Sequence, residues 1–151
     1  MRYTGAYAVV LVLHLLTALF VVGPLAVAAV TSPRLARAGQ VDALRGAART
    51  TRLYALASIV VVLLGTAMVG LGDTGEAWSM GQHWVSASYA LWILAVALTL
   101  GLVVPAQRQA VTALEEGRDA GGAAGRMAAG GGLAMLAWVV IVVLMVTKPG
   151  V

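Results

Sequence analysis

Apolar residues in this chain gather into four long runs, and every Asp, Glu, Lys and Arg lies outside them. The runs cover residues 5–30, 53–71, 84–104 and 127–147, which is 26, 19, 21 and 21 residues. A bilayer core is crossed by about 20 apolar residues of helix, so each run is a candidate span. None alternates with the two-residue period of a membrane barrel strand, and lipid forces backbone amides to bond within their own segment. The pattern predicts an all-α polytopic membrane protein, a four-transmembrane-helix bundle. The pieces between the runs reach at most 22 residues, below the ~40 under which a domain rarely folds alone. Residues 1–151 therefore form one domain. At ~1.5 Å per residue the first run is about 39 Å long, so it must tilt, bend or protrude. Pro24 supplies a bend, since it removes one amide donor and crowds the carbonyl of Phe20.

Composition narrows the function classes. Of 151 residues 61% are hydrophobic and 11% charged, and the mean hydropathy is +0.93. No water-soluble globule hides that much apolar side chain, which excludes soluble enzymes and nucleic-acid binders. The chain has no cysteine, which removes disulfides, thiolate metal sites and cysteine nucleophiles.

Charge sets the orientation. Residues 31–52 hold Arg34, Arg37, Arg45, Arg49 and Arg52, and residues 105–126 hold Arg108, Arg118 and Arg126. Arg2 and Lys148 are the two basic residues on the opposite side, where residues 72–83 carry only Asp73 and Glu76. The positive-inside rule places both arginine-rich connections in the cytoplasm and both termini outside (N-out, C-out) of a plasma membrane. Ala26-Val27-Ala28 resembles a signal-peptide cleavage site, but the apolar run is too long for an h-region of about 7–15 residues.

Each arginine-rich connection is expected to contain helix extending a span. Val41, Leu44 and Ala48 recur at helical spacing, with Arg45, Arg49 and Arg52 on another face, where anionic headgroups are the expected partner. Residues 121–125, Gly-Gly-Ala-Ala-Gly, read as a flexible connector and lack the Gly-Lys-Ser/Thr of a phosphate loop. The chain reads as two hairpins of equal orientation. Small residues at four-residue spacing (Thr66 and Gly70; Ala124, Ala128 and Gly132; Gly130 and Ala134) predict close helix contacts, within the chain, with a second copy or with another membrane protein. Trp78, Trp84, Tyr89, Tyr3 and Tyr7 cluster near one boundary, as interfacial anchors do.

Candidate chemistry inside the spans reduces to histidine. With no carboxylate, Lys or Arg at depth, proton-coupled exchange and paired-carboxylate hydrolysis lack their groups. His14 lies within the first span and His83 at the edge of the third. Two histidines from different helices can ligate haem b, although the expected depths of these two differ by about 8–13 Å. The competing reading is a neutral His14 donating to a backbone carbonyl or to the hydroxyl of Thr66 or Ser88. Met68, Met127, Met135 and Met145 lack the paired spacing of a copper site and read as gap fillers. Ser58, Ser86, Ser88, Thr17, Thr66 and Thr99 have no acid–base partner for nucleophilic catalysis.

Several motifs together resemble a known family. Leu13-His14-Leu15-Leu16 is followed by Val22-Gly23; Pro105, Gln107 and Arg108 close the third span; and the tail reads Val142-Val143-Leu144-Met145-Val146-Thr147-Lys148-Pro149. The chain resembles the bacterial predicted integral membrane proteins known as domain of unknown function 2269. That resemblance implies a membrane protein over nearly the whole chain and assigns no functional residue. A looser resemblance to four-helix haem- or copper-related membrane proteins with a His in an early helix adds to the haem alternative. The expectation is a non-enzymatic accessory protein or subunit with no cofactor, packing with itself or another membrane protein. The alternatives are a b-type haem protein using His14, with His83 as the other candidate ligand, and a small-solute carrier.

Overall fold

The computed structural model describes residues 5–71 and 78–150. Tyr3, Asp73 and Glu76 lie outside the described residues. The described chain runs α1 (Gly5–Arg37), α2 (Val41–Leu71), α3 (His83–Leu98), a π-helical segment (Thr99–Val103), α4 (Val104–Glu115) and α5 (Gly121–Thr147). Four continuous helical stretches, Gly5–Arg37, Val41–Leu71, His83–Glu115 and Gly121–Thr147, are long and apolar enough to cross a membrane.

The helices outrun the charge-free runs at the arginine-rich end, because arginines on a helix face need not interrupt it. Both connections there reverse in a single glycine turn. Gly39 (φ +67°) and Gly117 (φ +70°) adopt the left-handed conformation that side chains disfavour. The amides of Gly39 and Gln40 return to Ala36 and Leu35, and those of Gly117 and Arg118 to Leu114 and Ala113. Both turns are thus Schellman motifs that satisfy the last carbonyls of α1 and α4. The expected flexible connector at residues 121–125 is corrected: these residues open α5. Their small size lets Ala123 and Ala124 bury against Ala36, Leu44, Ala106 and Ala110, with Met127 filling the layer below.

The π segment directly precedes Pro105. Proline cannot donate to the carbonyl four residues back, and its ring collides with it. A wider turn relieves that collision and lets the helix continue into α4. In α1, by contrast, Pro24 and Pro33 sit within one unbroken α-helix.

Packing divides the molecule into two helix pairs, α1 with α2 and α3 with α5. The pairs are clamped at the arginine-rich end, where α4 lies against α2, α5 and α1. Two features make the clamp. First, a Cβ on Gly131 would lie 3.6 Å from the Ala29 carbonyl oxygen, and one on Gly130 would lie 2.9 Å from Leu102 Cδ2. The Gly130/Ala134 face is therefore spent inside the chain, whereas Ala128 and Gly132 face outward. Second, the fully buried Gln107 amide donates to Ser32 Oγ (2.7 Å) and Thr51 Oγ1 (3.0 Å), joining α4 to α1 and α2. Both hydroxyls donate their own protons to the carbonyls of Ala28 and Ala47. They can only accept from Gln107, which fixes the amide's orientation. Arg45 adds ion pairs to Asp42 and to Glu115 across the same end.

Toward the end carrying both termini the pairs diverge. A middle layer of Leu25, Ala55, Ala95, Ala137 and Ile141 still draws on all four spans. Beyond it, α2 and α3 hardly approach each other by backbone, and large side chains cross the gap.

Two outcomes test the clamp. Gln107→Ala should lower the unfolding free energy in bicelles by about 2 kcal/mol, with a coupling to Ser32→Ala of about 1 kcal/mol in a double-mutant cycle; strict additivity would remove the amide from the clamp. Gly130→Ala should cost about 1 kcal/mol or more, while Gly132→Ala, whose Cβ meets nothing within 4 Å, should be neutral in the same assay.

Candidate functional site

The space between the diverging pairs is a cavity of about 350 Å³ at the terminal end. That volume is within the range of small-molecule sites, about 300–1,000 Å³. Its lining is overwhelmingly apolar and includes Trp78, Trp84, Trp92 and Trp138, which are all four tryptophans of the chain.

His14 is the directed polar group of this cavity. Its ring is buried between α1 and α2, and Nδ1 lies 3.0 Å from the Val61 carbonyl oxygen. A carbonyl only accepts, so Nδ1 carries the proton and Nε2 of the neutral ring keeps its lone pair. Nε2 has no hydrogen-bond partner among the described residues. Space for the ring comes from Gly65, where a Cβ would lie 3.2 Å from His14 Cε1. Of the three partners considered for His14 from sequence, the backbone carbonyl is the one found. Thr66 bonds instead to Val62 O and to the Tyr89 hydroxyl, and Ser88 to Trp84 O.

Of the aromatic cluster expected as interfacial anchors, the four members among the described residues form an interior wall rather than a lipid-facing belt. Tyr7 and Trp84 are buried, and both, with Trp78 and Tyr89, line the cavity. Tyr7 meets Trp78 edge-on at 6.0 Å between ring centroids, and Trp78 meets Trp84 edge-on at 5.4 Å. Such T-shaped contacts align ring edges with ring faces and resist collapse of the gap. Trp92 reaches across to α2, donating from Nε1 to Ser58 Oγ at 3.0 Å. At the rim, Lys148 closes α5 in a left-handed conformation and sets Nζ 3.9 Å from the Trp78 ring centroid, a cation–π contact.

The structure does not bring the two histidines together. His83 is exposed at the start of α3 and does not line the cavity. Met68 and Met145 do line it, so two of the four scattered methionines converge on the same space as His14. Among the described residues no three His, Asp or Glu side chains gather as a metal cluster. The indole N–H groups of Trp84 and Trp138 are buried without an acceptor among the described residues.

Sequence reasoning picked His14 from its isolation at depth but missed the wall around it. The missed signal is a stripe: Trp84, Ser88, Trp92 and Ala95 recur at i, i+4, i+8 and i+11 on one face of α3. A belt of anchors has no need of a shared face.

Neither a curated protein nor a solved structure matches the chain. A family model does, over residues 8–149, described as a predicted integral membrane protein. That match takes in the four apolar helices, the cavity between them and the clamp, and the chain belongs to the DUF2269 family of predicted integral membrane proteins.

Proposed function

We propose that this integral membrane protein is a non-catalytic binding subunit that holds a flat, largely apolar ligand in the aromatic cavity, with His14 Nε2 as its anchor. The observation that carries this reading is the fixed imidazole: Nδ1 is committed to Val61 O, and Nε2 is left to meet a ligand in a cavity walled by tryptophan. Indole faces suit planar conjugated rings, and a single directed acceptor suits a ligand with one donor or an electrophilic metal centre. Ser58, Ser88 and Thr66 donate to backbone carbonyls of their own helices, which speaks for holding a ligand rather than attacking it. A second membrane protein would meet the bundle on the outward row of Ala128 and Gly132.

Haem b is the second reading. It is favoured by the Nδ1–H to carbonyl bond, which fixes a histidine for metal ligation through Nε2, and by Met68 and Met145 on the same cavity. The residues fit a single-histidine anchor rather than the His14–His83 pair, since His83 faces away from the cavity.

Titration of the purified protein in nanodiscs with menadiol, whose hydroxyls can donate to Nε2 and which is kept reduced under argon, and separately with hemin, tests both readings through tryptophan emission. Saturable quenching that weakens about tenfold or more in His14→Ala, equivalent to about 1.4 kcal/mol of lost anchoring, is expected. Quenching that is unsaturable, or unchanged in His14→Ala, overturns the binding reading. A Soret band dependent on His14 selects haem, and hemin that is never taken up eliminates it.

For location, our reading is the bacterial plasma membrane, with the arginine-rich end in the cytoplasm and both termini outside. Eight of the ten Lys and Arg residues on one side support it. In the cysteine-free chain, Gln40→Cys should react with an impermeant maleimide only after the membrane is permeabilised. Labelling in intact cells reverses the orientation.

A further inference from the structure

The route into the cavity is written in the seam between α1 and α5. At the clamped end this seam is closed, with Gly131 against the backbone of Ala29. Ala18 and Val142 lie eleven residues from Ala29 and Gly131 respectively, toward the terminal end. Eleven residues are about three helical turns, so both return to the same faces about 16 Å further along. The seam should be closed there too, and it is not. Val142 is 59% exposed, its neighbour Val146 77% and Leu15 58%, yet all three line the cavity together with Ala18. The cavity therefore reaches the lateral surface of the bundle between α1 and α5. The residues at this opening are apolar, within stretches free of Asp, Glu, Lys and Arg, at a level the hydrocarbon would cover.

The polar groups around the cavity define what would enter. His14 Nε2 is an acceptor without a hydrogen-bond partner among the described residues. A ring hydroxyl complements that acceptor, and a ring dissolved in the bilayer needs an apolar tail. A tail would leave through the same lateral gap.

Resting on the binding reading above, we infer that the ligand is a lipid-phase molecule of the quinol class, a tailed ring carrying a hydroxyl, which enters and leaves the cavity sideways through the α1–α5 seam at Ala18 and Val142.

The absence of cysteine makes the test clean. The double variant Ala18→Cys/Val142→Cys, reconstituted in vesicles, is bridged across the seam with a reductively cleavable bifunctional thiol reagent. Uptake of a decyl-tailed naphthoquinol, kept reduced under argon and delivered from donor vesicles, is followed by tryptophan quenching. Bridging should slow uptake about tenfold or more, corresponding to about 1.4 kcal/mol on the entry barrier. Cleavage of the bridge should restore the rate, and the extent of quenching at equilibrium should be the same throughout. Saturable quenching with an unchanged rate overturns the lateral route while leaving the binding reading intact. If menadiol binds saturably and the tailed quinol does not, the ligand class is wrong. If neither quenches saturably in the unbridged protein, the binding reading itself fails.

Discussion

Everything distinctive in this bundle depends on how closely its helices approach at one end. Lipid offers no hydrophobic force to push helices together, so association rests on van der Waals contact and on polar groups that find each other. Alanine and glycine supply the contact at the arginine-rich end, where Ala29 meets Gly131 and a layer of alanines surrounds Leu44 and Met127. Gln107 supplies the polar part, and its two hydroxyl partners come from two different helices. Side-chain size then grades along the bundle. Small residues draw the pairs together at one end, and tryptophans and tyrosines hold them apart at the other.

That gradient explains why the cavity and the histidine occur together. A cavity between tightly packed helices would collapse, but edge-to-face rings cannot interpenetrate, and they bridge the gap without filling it. Within such a dry space polar groups need partners. Most hydroxyls find them on the preceding turn of their own helix. His14 solves the problem across helices, using one ring nitrogen for the α2 backbone and leaving the other without a hydrogen-bond partner among the described residues. The α1–α2 pair thereby presents His14 to the cavity as a directional group.

The four spans were legible because burial in lipid demands long runs without charge, and nothing else in a chain this short produces them. Their true ends were not. A run defined by missing charge stops short of Arg34 or Arg108, whereas the helix carries on with those side chains turned outward until Gly39 or Gly117 reverses it. Ser32, Thr51 and Gln107 consequently looked like connection residues, although they form the buried lock. His14 stood out by composition alone, but its partner is a backbone carbonyl, which no side chain announces. The inward turn of Trp78 and Trp84 was hidden for another reason: an interfacial anchor and a cavity wall occupy the same depth and differ only in the face they occupy.

The π segment before Pro105 carries a geometrical consequence for the lock. Gln107 follows Ala95 by twelve residues, and at about 100° per residue an uninterrupted α-helix would put it about 120° around the axis from that buried alanine. The wide turn absorbs roughly one residue of winding, which brings the discrepancy down to about 20°. The lock is therefore a matter of angular phase. Proline, by unwinding the helix once, dials the amide from the lipid side to the centre of the bundle, and the same defect that ends one regular helix aims the residue that fastens three.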